Sequence, residues 1–163
     1  MQKKFELTSE FVLNIFGVKL FRIKTLIQFG NVDAGELGGY VEKEGNVDQS
    51  GDAWVYGDAQ VYGDAWVNGD ARVSGDAWVK KATHLLQVGA IGSRNGFTTF
   101  FRVKTNQIHV VCGCFLGSID DFEKAVEKSH AGTRHERTYK LAIQLAKEQI
   151  DLSEVIEMDN NRP

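Results

Sequence analysis

The chain has one proline, Pro163, and only two cysteines and four histidines. With so little proline, turning falls to glycine, and the seventeen glycines stand at repeated positions rather than in a linker. Two cysteines spaced as Cys112-Gly113-Cys114 argue against a disulfide framework and fit a reducing cytoplasm. No apolar run approaches the roughly 20 residues a membrane-spanning helix needs, and MQKKFELTSE lacks the apolar stretch of a signal peptide, so no membrane partner is expected. Strong positive charge is missing as well. The formal net charge is −3, and no segment is basic enough to track duplex nucleic acid.

What is present is a six-residue rhythm. Residues 51–79 repeat Gly-Asp-Ala-x-Val-x, as in GDAWVYGDAQVYGDAWVNGDARVSGDAWV. Ala-x-Val puts two apolar side chains on one side of a short strand and x on the other, while Gly-Asp turns a corner, with Asp expected to bond nearby backbone amides. Gly39 and Gly45 extend the frame upstream with Val41 and Val47 in the Ala phase, and Thr83 and Leu85 keep the inward phases downstream. A period this short fits the hexapeptide class of parallel β-helix.

The rhythm resembles that of hexapeptide-repeat proteins, which include many acyltransferases and the γ-class carbonic anhydrases. The resemblance implies a left-handed, triangular parallel β-helix with eighteen residues per coil, and trimers. In that stacking Trp54 lies over Arg72, Gln60 over Trp78 and Trp66 over His84, with Tyr56 and Tyr62 above Ser74 and Lys80. Trp54, Trp66, Trp78, Tyr56 and Tyr62 then point outward and are expected to bury a homotrimer interface, the other use of such aromatics being a ligand-stacking platform.

The expected organisation is mainly β: an N-terminal β cap over 1–38, the hexapeptide-repeat β-helix over 39–91, a ββαα module over 92–150 and a flexible acidic tail over 151–163. Residues 97–104 and 108–115 read as a hairpin. Ser118 with Asp121 opens one helix, and a second covers about 134–150.

The residues offer material for three kinds of chemistry. Acyl transfer in proteins of this resemblance uses a histidine at a subunit cleft, but residues 39–80 hold no histidine and no inserted loop. His84 and His109 are what that alternative has left, and no catalytic residue is assigned. Zinc would need Cys112, Cys114, His130 and His135; the Cys spacing is shorter than usual, so neither metal nor cofactor is expected. Anion binding has the richest material. Arg94 and Asn95 sit on a turn with Thr98 and Arg102 beyond it, and Arg134, His135 and Arg137 cluster at the start of the last helix.

The whole chain also resembles a group of bacteriophage-encoded hexapeptide-repeat proteins, through KFELT, LFRIKTLIQFGNVDAGELGGYVEKEGNV, the GDA hexads, SRNGFTTFFRVKT and VVCGCFLGSIDDFEKAVEKSH. That resemblance implies phage origin and interference with a host process. The resulting expectation is a non-catalytic oligomeric binding protein that captures an anionic, nucleotide-type small molecule or a host protein. A hexapeptide-repeat acyltransferase and a virion structural or assembly protein are the alternatives.

Overall fold

The structure, a computed structural model, describes residues 2–154. It opens on an antiparallel hairpin of β1 (Phe5–Leu13) and β2 (Lys19–Thr25). The hairpin reverses where the Asn14 side chain accepts from the Phe16 and Val18 N–H groups, both at 2.9 Å, a side-chain mimic of a backbone turn. β3 (Leu37–Val41) adds antiparallel to β2. The hexads contribute four strands of two residues each: β4 (Trp54–Val55), β5 (Gln60–Val61), β6 (Arg72–Val73) and β7 (Trp78–Val79). Four longer strands follow, β8 (Leu85–Ile91), β9 (Gly96–Arg102), β10 (Ile108–Cys112) and β11 (Phe115–Ser118), then α1 (Ile119–His130) and α2 (Arg134–Gln149).

The strands form three separate sheets, ordered β1-β2-β3-β5-β7, β11-β10-β9-β8 and β4-β6. This corrects the expected fold class. Among the described residues five of the eight strand pairings are antiparallel and no left-handed parallel β-helix is found; they form a mixed, sheet-rich fold with two helices. The physical reason lies in strand length. Each Gly-Asp corner leaves only two residues per hexad for a ladder, whereas the strands on either side are four to nine residues long and pair with their sequence neighbours. Parallel pairing survives in short contacts, Trp54 opposite Arg72 and Gln60 opposite Trp78, at an eighteen-residue offset. The ββαα module is likewise corrected to four strands and two helices, because Leu85–Ile91 and Phe115–Ser118 flank the expected hairpin as edge strands.

The repeated glycines are explained by backbone geometry. Gly51 and Gly63 have φ of +69° and +60°, and an added Cβ would lie 2.9 Å from the Gly69 carbonyl and 2.7 Å from the Lys80 carbonyl respectively. The aspartates behave differently from expectation. Among the described residues Asp52, Asp58, Asp64 and Asp70 cap no backbone amide with their carboxylates, so glycine alone makes these corners.

Two apolar cores result. The first holds the inward Ala and Val of the hexads with Phe5, Ile23, Phe101, Val103 and Val111. The second lies between the four-stranded sheet and the helices, around Phe100, Val110, Phe122, Tyr139 and Ile143. β9 joins them: Phe100 and Phe101, on opposite faces of one strand, enter one core each. α1 begins where the Ser118 hydroxyl accepts from the Asp121 N–H, and α2 where Thr133 accepts from the Glu136 N–H.

After α2 the chain is tied down, which corrects the expected flexible tail as far as residue 154; residues 155–163 lie outside the described residues. The Asp151 N–H donates to the Thr83 carbonyl at 2.9 Å, and Asn106 donates to the Leu152 carbonyl at 2.8 Å. Asp151 meets Lys81 at 2.7 Å, and Glu154 bridges Lys80 at 3.2 Å and the buried Arg102 at 3.3 Å. Next to this strap lies His84, fully buried, its Nδ1 accepting from the Lys80 N–H at 3.1 Å.

These groups make the fold acid-sensitive. Burial, with the nearby Arg102 and Lys81 charges, holds His84 down at about 4 from an ordinary 6.5. Hydrogen bonds from Lys81 and Lys80 hold Asp151 and Glu154 below the usual carboxylate range. Between pH 6.5 and 4 the unfolded chain takes up a proton at His84 that the folded chain refuses, and further down the two carboxylates lose their partners, so all three shifts act in one direction. The urea midpoint is expected to fall steadily from pH 7 to 4.5, with His84 alone contributing at most about 3 kcal/mol. The His84→Gln variant should show a visibly flatter profile; an unchanged slope would refute the assignment.

Candidate functional site

A cleft of about 680 Å³ opens where the hexad corners, the turn between β8 and β9, the turn between β10 and β11, and α1 converge. Its charged lining is Asp52, Asp70 and Arg72 from the hexads and Arg94 from the β8–β9 turn. Its apolar wall is Phe97, Phe115, Phe122 and Tyr139, with the stem of α1. Cys112, Cys114 and His130 complete the lining.

Each element places its side chains for an identifiable reason. Arg72 occupies the outward phase of its hexad, and its N–H donates to the Thr99 hydroxyl at 3.0 Å, which fixes β6 beside β9. The β8–β9 turn depends on Gly92, whose φ is +82° and where a Cβ would collide with the Tyr139 hydroxyl. Asn95 in the same turn has φ of +49°, a conformation asparagine tolerates better than most residues. The hairpin of β10 and β11 turns through Gly113 at φ +58°, so Cys112 and Cys114 stand on either side of one tight reversal.

Beneath the cleft floor runs a small polar chain. The Thr98 hydroxyl donates to Cys112 Sγ at 3.3 Å, and the thiol donates in turn to the Tyr139 hydroxyl at 3.9 Å. Burial, then the neighbouring Cys112, pushes Tyr139 up to about 12, so it stays a neutral phenol at any physiological pH. Tyr139 also packs edge-on against Phe122, centroids 5.7 Å apart, and lies tilted against the His130 ring at 5.6 Å.

The anion-binding residues read from the sequence are only partly brought together. Arg94 lines the cleft, and Asn95 shapes its turn. Thr98 is buried under the floor, acting through Cys112. Arg102 is elsewhere: it is buried, donates from Nε to the Trp78 carbonyl at 3.0 Å, and has Glu154 as its charge partner. Arg134 and Arg137 are exposed on α2 and do not line the cleft, while His135 reaches it only through His130, ring centroids 5.8 Å apart. Neither His84 nor His109 faces the cleft. Among the described residues no group of three or more His, Cys, Asp or Glu is placed to hold a metal ion.

The aromatic interface reading is corrected for three of its five residues. Trp54, Trp78 and Tyr62 are buried within the chain itself. Trp54 is covered by Phe5 and Phe29, brought by the N-terminal segment. Tyr56 packs at the edge of the first core, and Trp66 alone stays open, at 53% exposure. Sequence reasoning missed Arg72, Asp52 and Asp70 as cleft residues. The available signal was that Arg72 is the basic member among outward hexad positions otherwise filled by Trp or Gln.

No protein-family model matches the chain, and no curated protein matches it. No helix among the described residues is long and apolar enough to cross a membrane.

Proposed function

We propose that this protein is a binding protein, retaining rather than converting its ligand, and that the ligand is an anionic small molecule with a flat aromatic part, of nucleotide type. The observation that carries the reading is the pairing of Arg72 and Arg94 with the aromatic wall of Phe97, Phe115 and Tyr139 in one cleft. Guanidinium groups offer a planar fork of donors that matches phosphate oxygens, and aromatic rings accept a base on their faces. The volume is within the range of small-molecule sites. Titration of the purified protein with nucleoside phosphates in a calorimeter is the test. Saturable binding at a stoichiometry near one per chain supports the reading, and no heat with any of them removes it.

Self-association belongs to the same proposal. Leu13, Phe16 and Trp66 are each more than half exposed, and a contact between chains would take these large apolar groups out of water. Sedimentation is expected to give a mass above one chain. A monomer at micromolar concentration would discard this part while leaving the cleft reading intact.

A further inference from the structure

The cleft carries a feature that a simple anion site does not explain. Asp52 and Asp70 stand one rung apart on its wall, with the Asp52 N–H donating to the Gly69 carbonyl at 3.2 Å. Neither carboxylate takes a hydrogen bond or an ion pair among the described residues. The end of Arg72 shares this edge: one point, the Cβ position of Gly30, lies 2.9 Å from its Nη2 and 3.6 Å from the Asp52 carboxyl carbon. Donor and acceptor thus stand side by side, in front of the aromatic wall.

An ionised carboxylate only accepts hydrogen bonds. A phosphate set against Asp52 and Asp70 would add like charge to like charge, so the part of the ligand facing them carries hydrogen-bond donors and no negative charge. We infer that the ligand is a ribonucleotide with a free vicinal diol, whose two hydroxyls donate to Asp52 and Asp70 while its phosphate lies on Arg72 and Arg94. This rests on the reading of the cleft as an anion site and deepens it by naming the class. A sugar phosphate holds diol and anion about one sugar ring apart, matching an edge on which carboxylate and guanidinium are neighbours. A carboxylate on the ribose hydroxyl is also a recurrent physical solution in nucleotide recognition. Asp52 and Asp70 are then specificity-determining residues.

The probes are the four ribonucleoside 5′-monophosphates, their 2′,3′-dideoxy counterparts, ADP-ribose and inorganic pyrophosphate. Binding is read by calorimetry and by protection of Cys114, exposed at the cleft mouth, from alkylation. At least one diol-bearing compound is expected to bind ten-fold or more tightly than its dideoxy counterpart. The Asp52→Ala/Asp70→Ala double variant should bring that ratio close to one while still binding the anion; should it fail to fold by circular dichroism, Asp52→Asn and Asp70→Asn are the substitutes. Equal affinity for ribo and dideoxy compounds, or binding of pyrophosphate alone, overturns the diol inference and leaves the anion reading standing. No binding and no protection by any probe overturns both.

Discussion

Replacing Trp54 with alanine is expected to lower the unfolding free energy by about 3–5 kcal/mol, the range for emptying a buried indole site, and the melting temperature by about 6–20 °C. The indole is 2% exposed and meets Phe5 edge-on at 6.1 Å and Phe29 at 5.4 Å. Its far side is pressed on Gly38, where a Cβ would come within 2.6 Å of the ring, so a smaller residue leaves a void that the rigid β3 backbone cannot close. Such a loss is a large share of a typical domain stability of about 5–15 kcal/mol. The effect should also reach the cleft. Phe29 and Val32 form the bridge next to Gly30, against which Arg72 and Asp52 lie, and without the indole that turn loses its support. Trp66→Ala is the comparison: half exposed, it should cost clearly less than Trp54→Ala when both are melted at a dilution where the chain does not self-associate. Equal effects of the two substitutions in urea melts would sink the assignment of Trp54 to the core.

That contrast marks how far the sequence could be read. The hexad phases showed which residues face inward, and Ala53, Val55, Ala59 and Val61 are indeed buried. Periodicity describes a side chain's direction but not what arrives to cover it. Trp54 and Trp78 do stand in the outward phase. Phe5 and Phe29 from the N-terminal segment cover the first, and the Arg102 guanidinium reaches the backbone of the second from β9. These contacts span more than twenty residues of sequence, and no local pattern announces them. The same limit produced the fold correction. A repeat with strong corner signals suggested one continuous parallel solenoid, yet the longer flanking strands impose antiparallel sheets through their own greater ladder length. Helix starts were legible because a cap is a contact between residues three apart, as at Ser118 and Asp121.

The candidate site divides along the same line. Arg94 was readable because a turn rich in Gly, Ser and Asn sits between two β-prone runs. Arg102, on the same stretch of sequence, stands at the far end of β9 from that turn and is consumed by Trp78 and Glu154. An extended strand rises about 3.3 Å per residue, so the length of β9 carries Arg102 roughly 20 Å from the turn that holds Arg94. Arg72 came to the cleft instead, from a hexad that the repeat had marked as scaffold.

The Arg72→Ala/Arg94→Ala double variant is expected to weaken binding of a nucleoside phosphate by at least about 100-fold, since a hydrogen bond to a charged group is worth about 1.5–3 kcal/mol and two are removed. Each single variant should lose about ten-fold or more. Arg94 is the cleaner of the two: it is exposed on a turn and makes no hydrogen bond or ion pair among the described residues, so its removal leaves stability near the wild-type value. Arg72 shares its edge with Asp52, and its removal leaves that carboxylate facing the ligand's anion unscreened, so its loss should exceed that of Arg94 at low salt. Raising ionic strength should then weaken wild-type binding more than that of either variant, because fewer charges remain to be screened. Arg134→Ala/Arg137→Ala provides the opposing control on α2, away from the cleft, and should bind as wild type does. Loss of binding on substituting the α2 pair, with Arg72 and Arg94 dispensable, would move the ligand to the start of the last helix and empty the cleft of its role.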